Sequence, residues 1–313
     1  MRIGLIAVDN HNFPDLTLMK ISAYHKAVGD KVEWYDTFSD IYDIVYMSKI
    51  FLFSPDYQYI INAHKVICGG SGYHIKLIDG KERWIDNPKT QYELWNCLPS
   101  EMEHIYPDYS LYNITDTAYG YLTRGCPRGC GFCHVKSKEG LKSYKVADLS
   151  EFWRGQKNIV LCDPNLLASA ECNDLLQQLI DSKAWVNINQ GFDIRLINES
   201  NIDLLNQIKI KEIHFAWDNY RDKDLILSNL QFYKEHAKRQ PHSHNAIVYV
   251  LCNYNSTFYQ DLERIYTLRD MGYWAYVMIY NVKFCDKKYK KLQRWCNNKF
   301  IFAKCKKFED YEG

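Results

Sequence analysis

Long apolar runs, an excess of charge of one sign and internal repeats are all missing from this chain of 313 residues. No apolar stretch approaches the roughly 18 residues that span a bilayer, so we expect no membrane segment. With 39 basic and 38 acidic side chains the formal net charge is +1, which gives no general attraction to nucleic acids or membranes. The length instead fits one large or two modest globular domains.

A secretory signal is also missing, because the apolar start at residues 1–8 is too short for one. Cysteine, in contrast, is plentiful, with eleven residues. Cysteines in a chain without such a signal are usually free or bound to metal rather than paired in disulfides. We therefore expect a reducing, cytoplasmic setting.

Three of the cysteines, Cys126, Cys130 and Cys133, follow one another in a C-x3-C-x2-C pattern. Thiolates this close together suit a soft metal centre, and iron–sulfur clusters are held by cysteine thiolates. A [4Fe–4S] cluster bound by three cysteines keeps one iron open for a small ligand. The alternative is a structural zinc site, which usually needs four protein ligands, often from two C-x2-C pairs. A second close pair is absent from the sequence.

The spacing, with Phe132 directly before the third cysteine, resembles the signature of the radical S-adenosylmethionine (radical SAM) superfamily. The resemblance implies that SAM chelates the open iron and that one electron from the cluster cleaves it. The 5′-deoxyadenosyl radical so formed then abstracts hydrogen from a substrate, which the sequence does not identify. The resemblance also implies an external electron donor of the flavodoxin or ferredoxin type.

From residue 119 onward, apolar strand patterns alternate with helical patterns at wide spacing. The strand patterns cover residues 119–123, 158–163, 185–190, 212–217, 246–252 and 274–280. This order predicts an α/β fold in which parallel strands are joined by helices. The family resemblance implies a partial (β/α)6 TIM-type barrel, whose site lies at the carboxyl ends of the strands.

Residues 1–85 show a tighter alternation that predicts a Rossmann-like open parallel sheet with both faces covered. This segment resembles the cobalamin-binding-like domain that precedes the radical domain in a large branch of the superfamily. Cobalamin is not expected, because the D-x-H-x-x-G pattern of that domain is absent. Residues 9–12 and Gly69–Gly72 follow predicted strands, where ligands of open sheets bind, although such glycines can equally form a plain turn.

Residues 86–118, with three prolines, are expected to form a connector, which leaves 119–282 for the barrel and 283–313 as a C-terminal extension. The extension interleaves basic residues with aromatic rings, and such residues can bind the phosphate backbone of a nucleic acid. The interpretation we favour is a terminal helix with a solvated lysine face and with Leu292 and Trp295 packed on the barrel. Nucleic acid is therefore not the favoured partner.

Polar side chains at the ends of the barrel strands are the candidates for binding SAM. We assign Asp163 to the ammonium or ribose of SAM and Arg195 to its carboxylate, with Asp193 as the alternative partner of Arg195. Asn189 and Gln190 are assigned to the ribose hydroxyls. As the resemblance implies for such loops, Phe132 is expected near the adenine.

Two more strand ends carry candidates. Asn253 is assigned to the cofactor pocket, and Cys162 is a candidate hydrogen donor to a substrate radical or a ligand of a second cluster. The alternatives are that Asp163, Asp218 and Asn253 cap helices and that Cys162 is an inert buried thiol.

The sequence thus predicts a radical SAM enzyme of unidentified substrate. One alternative is a radical methylase or rearrangement enzyme that acts on a nucleoside or peptide. A different class of alternative is a non-catalytic iron–sulfur protein for binding or electron transfer.

Overall fold

The computed structural model describes residues 1–9, 13–79, 81–242 and 244–313, without the side chain of Lys81. It is an α/β protein in which each of the three larger sheets is parallel throughout. This bears out the α/β class and the parallel pairing predicted from the sequence. In the described part of the chain, no helix is long and apolar enough to cross a membrane.

The first sheet has five strands in the order β2-β1-β3-β4-β7. The strands of this region are β1 (Arg2–Ala7), β2 (Lys31–Trp34), β3 (Tyr42–Ser48), β4 (Ala63–Gly69), β5 (Ile75–Ile78), β6 (Lys81–Trp84) and β7 (Glu93–Trp95). β5 and β6 form an antiparallel hairpin beside the sheet. Since β7 pairs with β4, the sheet extends into the segment predicted as a connector.

One face of the first sheet is covered by helix α1 (Leu16–Ala27), which begins where Asp15 accepts hydrogen bonds from the backbone of the first turn. Leu18 and Ile21 of α1 pack on Ile3 and Leu5 of β1. The helices that follow, α2 (Ser71–His74) and α3 (Ser100–Glu103), have a single turn each.

The opposite face of this sheet is covered by loops, whereas the alternation in the sequence predicted helices on both faces. Tyr42 and Val45 pack there with Tyr57 and Ile61 of the loop between β3 and β4. Loop residues cover this face because the links from β2 to β3 and from β3 to β4 contain no helix.

Two further parallel sheets have the orders β8-β11-β12-β13 and β14-β15-β16. Their strands, with the antiparallel pair β9 and β10, are β8 (Thr117–Gly120), β9 (Thr123–Arg124), β10 (Tyr144–Lys145), β11 (Asn158–Leu161), β12 (Trp185–Ile188), β13 (Lys209–Ile210), β14 (Ile213–Ala216), β15 (Ala246–Cys252) and β16 (Trp274–Ile279). The six strands predicted from residue 119 onward correspond to β8, β11, β12, β14, β15 and β16. The amide of Phe192 donates to the carbonyl of His214 at 2.8 Å, which links the two sheets.

Helices follow most of these strands and cover the sheets. They are α4 (Val135–Glu139), α5 (Cys172–Ser182), α6 (Glu199–Leu205), α7 (Lys223–His236), α8 (Phe258–Asp270), α9 (Lys287–Asn297) and α10 (Lys299–Lys304). Almost every residue of β15 is buried, as expected for a parallel strand that is covered on both faces. Leu292 and Trp295 of α9 are fully buried, so the terminal helix has the apolar face predicted for it.

Two neighbouring residues of the segment 86–118 connect the first sheet region to the later sheets. The carboxylate of Asp108 accepts from Ser22 Oγ and Lys26 Nζ of α1, both at 2.6 Å. The hydroxyl of Tyr109 donates to the carbonyl of Phe152 at 2.7 Å and accepts from the amide of Tyr119 at 3.0 Å.

Candidate functional site

The three clustered cysteines lie on a loop, residues 125–134, that begins after β9 and ends at α4; we call it the cysteine loop. Glu139 holds the base of this loop, because its carboxylate accepts from Arg124 Nη1 and from the amide of Gly125, both at 2.9 Å. Gly125 has a φ of +77°, and a Cβ here would lie 2.1 Å from the carbonyl oxygen of Lys142. Only glycine fits where the chain passes this close to the backbone of Lys142, and this contact fixes the start of the loop.

Cys126, Cys130 and Cys133 are all half-buried free thiols. Burial raises the pKa of Cys130 and of Cys133, and the charges of the other loop cysteines raise both further. Three free thiols on one anchored loop are the type of donor set that a thiolate-bound iron–sulfur cluster requires. Among the described residues, no group of three or more His, Cys, Asp or Glu side chains is arranged to hold a single metal ion.

Asn165, which follows β11, contacts the cysteine loop. Its side-chain Nδ2 donates to Cys126 Sγ at 3.5 Å and to Asp193 Oδ2 at 3.3 Å. Asn165 is only 4% exposed, and its Oδ1 is buried without a hydrogen-bond partner in the described part of the chain. Sequence reasoning did not assign a role to Asn165, although its place after a buried strand was the available signal.

Arg195, which follows β12, is paired with Asp193, the alternative partner considered for it. Asp193 Oδ1 accepts from Arg195 Nε at 2.7 Å, and Asp193 Oδ2 accepts from Arg128 Nε at 2.6 Å. Although burial acts in the opposite direction, these two guanidinium groups hold the pKa of Asp193 below its usual value. Arg195 therefore brings positive charge to the cysteine loop, but its guanidinium group already donates hydrogen bonds to Asp193.

Asp218, which follows β14, is an unpaired acid near the cysteine loop. Burial raises its pKa to about 6, while Arg195 and Arg264 act to lower it. Its charge in turn raises the pKa of Cys130. No described residue donates a hydrogen bond to Asp218, so its carboxylate is free to meet a ligand.

Asp163, the acid that sequence reasoning assigned to SAM, is instead fully buried. It accepts from the amide of Leu122 at 3.1 Å and from the hydroxyl of Thr123 at 2.7 Å. Burial raises its pKa to about 6, and these hydrogen bonds oppose the rise. Asp163 therefore braces the chain that leads into the cysteine loop, and its carboxylate is already occupied by protein donors.

Asn253 adopts a left-handed conformation with a φ of +64°. Its Nδ2 donates to the carbonyl of Tyr280 at 3.0 Å, which ties the end of β15 to the end of β16. The helix that follows, α8, is capped by Thr257 instead. Asp163 and Asp218 do not cap helices either, so the capping alternative is wrong for all three residues.

The remaining predicted site residues outside the cysteine loop are Asn189, Gln190 and Cys162. Asn189 is half-buried and Gln190 exposed, in the turn directly after β12. Burial and the neighbouring Asp163 raise the pKa of Cys162 to about 11, so it is a neutral thiol near pH 7. The positive charge of Arg124 opposes this rise in the pKa of Cys162.

Phe132 of the cysteine loop contacts Tyr254, which follows β15, with ring centroids 5.1 Å apart in an edge-to-face arrangement. A Cβ at Gly131 would lie 2.8 Å from the Tyr254 hydroxyl, so the two loops approach closely. The ends of β11, β12 and β15 thus all contact the cysteine loop, and the charge of Asp218 after β14 acts on Cys130.

Residues 9–12 and Gly69–Gly72, which were considered as a ligand-binding edge of the first sheet, have structural roles where the structure describes them. Asp9 accepts from the amides of Ile50 and Phe51, and residues 10–12 lie outside the described residues. Gly70 has a φ of +102°, and a Cβ there would lie 2.2 Å from the carbonyl oxygen of Lys49. The glycines after β4 therefore allow a tight turn against a neighbouring backbone.

No protein-family model matches the chain, and a comparison with curated proteins finds no match either. The assignment of function therefore depends on the chemistry of the site itself.

Proposed function

We propose that this chain is a radical SAM enzyme, in which Cys126, Cys130 and Cys133 hold a [4Fe–4S] cluster and SAM occupies its open iron. When bound, the cluster would supply the one electron needed to cleave SAM to a 5′-deoxyadenosyl radical, which would abstract hydrogen from a substrate. The observation that carries the proposal is the convergence of three strand ends, those of β11, β12 and β15, on an anchored loop with three free thiols.

We also propose the finer architecture, a Rossmann-like sheet followed by a partial (β/α)6 barrel. The parallel pairing of β8, β11 and β12 and of β14, β15 and β16 supports it, since these strands carry the site at their carboxyl ends. A labile cluster and eleven free cysteines suit a reducing compartment such as the cytoplasm. The electron would come from an external donor of the flavodoxin or ferredoxin type.

Within this proposal, Asp218 takes the role that the sequence suggested for Asp163. Its carboxylate, which accepts no hydrogen bond from the described residues, would accept a charge-assisted hydrogen bond from the ammonium group of SAM. Arg195 holds positive charge that opposes the rise in the pKa of Cys130 caused by burial, and so favours the thiolate that would bind iron. Phe132, Asn189, Gln190 and Asn253 remain predicted contacts of SAM.

The test is anaerobic reconstitution with iron and sulfide, followed by dithionite and SAM. We expect a brown protein that produces 5′-deoxyadenosine, and we expect Cys130→Ala to lose both the colour and the product. Cys172→Ala is the matched control, because Cys172 lies at the start of α5, away from the loop, and should leave both unchanged.

The alternatives give different results in the same experiment. A non-catalytic iron–sulfur protein would load a cluster and yield no 5′-deoxyadenosine. A zinc protein would remain colourless. Full turnover by Cys130→Ala would refute the assignment of the cluster.

A further inference from the structure

A second cleft, with a volume of about 550 Å³, lies between the first sheet and the base of the cysteine loop. One wall is formed by the carboxyl ends of β3, β4 and β7, including Ser48 and Gly69, and the other wall includes Arg124 and Lys138. Neither the cysteines of the loop nor Asp218 line it, so it is separate from the proposed SAM site. Its volume falls within the range of small-molecule sites, and the carboxyl ends of parallel strands are where open sheets bind ligands.

Aromatic rings line this cleft on the side of the first sheet. Trp84 stacks on His74 with ring centroids 4.6 Å apart, and Trp95 meets Tyr46 at 5.6 Å. Both tryptophans are half-buried, so each keeps part of its ring surface open to the cleft. Rings held in this way are stacking surfaces for a planar ligand, and a base stacked on such a ring gains roughly 1–3 kcal/mol.

The opposite wall carries two cations, Arg124 and Lys138, that share one carboxylate. Glu139 accepts hydrogen bonds from Arg124 and Gly125, both at 2.9 Å, and forms a longer ion pair with Lys138 Nζ at 3.8 Å. The side chain of Lys138 remains 38% exposed. Burial and the charge of Arg124 lower the pKa of Lys138 while Glu139 opposes both, so a repulsion between the two cations remains across the wall. An anion bound between them would relieve this repulsion.

We infer that the cleft binds a small ligand that joins a planar ring to an anionic group, and that 5′-nucleotides are the class that fits both walls. The ring would stack on Trp84 or Trp95, and the phosphate would contact Lys138 and Arg124. Since Arg124 and Lys138 adjoin Glu139, the bound phosphate would touch the base of the cysteine loop. The inference depends on the cleft alone and stands or falls independently of the cluster.

The test is calorimetric titration of the full-length protein with AMP, GMP, CMP and UMP, in the presence of saturating SAM so that the SAM site is filled. At least one nucleotide should bind with a Kd below about 1 mM, equivalent to about 4 kcal/mol. The matching nucleoside and inorganic phosphate should each bind at least tenfold more weakly, because each lacks one half of the ligand.

Lys138→Ala should weaken nucleotide binding at least tenfold, since it removes a charge-assisted contact. Lys136→Ala is the matched control, because Lys136 belongs to the same helix, α4, but does not line the cleft. The inference is overturned if no nucleotide binds below about 1 mM, if phosphate alone binds as well, or if the two lysine variants behave alike. Loss of 5′-deoxyadenosine production with nucleotide binding intact would sink only the proposed enzyme activity.

Discussion

At the scale of single residues, the amide of Asn165 is placed to tune a bound cluster. Its N–H donates to Cys126 Sγ while Asp193 fixes its orientation. A hydrogen bond to a cluster thiolate stabilises the reduced, more negative form and so raises the reduction potential.

We expect Asn165→Ala to lower the potential of the cluster. A hydrogen bond with a net contribution of about 1 kcal/mol corresponds to ~40 mV for a one-electron couple. A redox titration followed by electron paramagnetic resonance would measure the shift. Asn187→Ala, on the exposed side of neighbouring β12, should leave the potential unchanged. Equal potentials for the wild type and Asn165→Ala would contradict the role given to this amide.

The raised pKa of Asp163 should make the free energy of unfolding depend on pH. Its pKa is about 6 in the folded chain against 3.8 for the ordinary group, so folding takes up a proton between these values. A buried acid of this kind destabilises the fold when it is charged, and stability from this group grows as pH falls from 7 to 4. The free energy of unfolding of the wild type should therefore rise relative to that of Asp163→Asn by ~2–3 kcal/mol over this range. Urea unfolding at a series of pH values would measure it, and a difference that is constant with pH would refute the assigned shift.

The sequence points most clearly to residues whose spacing alone suggests chemistry. That Cys126, Cys130 and Cys133 share one loop follows from their separation along the chain, and that they hold a cluster stays a prediction. Asp163 and Asp218 both follow apolar strands, and nothing local distinguishes them. Which of the two is covered depends on how Leu122 and Thr123 fold back over β11, a contact across about forty residues.

At the scale of elements, Arg264 of α8 joins the ends of two strands behind the site. Its guanidinium donates to the carbonyl oxygens of Trp217 and Leu251 and to Asp261, and both charged side chains are fully buried. The pair therefore holds β14 and β15 in register next to Asp218, whose charge acts on Cys130, and Tyr254, which contacts the cysteine loop.

Replacing Arg264 by Met should lower the free energy of unfolding by about 3–5 kcal/mol. The change leaves a buried carboxylate without its cationic partner and two carbonyl oxygens without this hydrogen-bond donor. Chemical denaturation followed by circular dichroism is the measurement. Lys223→Met breaks an exposed pair with Glu263 and should cost less than about 1 kcal/mol. Similar losses for the two variants would show that the burial of Arg264 adds nothing.

Elements built from local signals could be predicted, and those that depend on distant pairing could not. Apolar runs located the six strands from residue 119 onward. The strand β7 was missed because three residues, Glu93–Trp95, carry too short a pattern and become a strand only by pairing with β4. The loop cover of the first sheet was missed for a related reason, since Tyr57 and Ile61 pack through tertiary contacts alone.

At the scale of the whole molecule, Asp108 attaches the connecting segment to α1. Asp108→Ala removes hydrogen bonds from Lys26 and Ser22, both charge-assisted because the carboxylate that accepts them is ionised, and should cost about 2 kcal/mol. The loss should be local, so amide hydrogen exchange should quicken in α1 and stay unchanged in α8. Asp116→Ala, a surface change in the same segment, is the control. Equal acceleration in α1 and α8 would show that Asp108 supports the entire fold instead.

The parallel sheets also set the order in which the chain can assemble. Each parallel pairing joins strands separated by a long crossover, and such distant pairings form slowly during folding. The short antiparallel pair of β9 and β10 is local by comparison, and it brackets the three thiols. During synthesis on the ribosome, this hairpin can close before β14 and β15 have emerged, so the three thiols proposed as cluster ligands would be gathered while the pocket is still open.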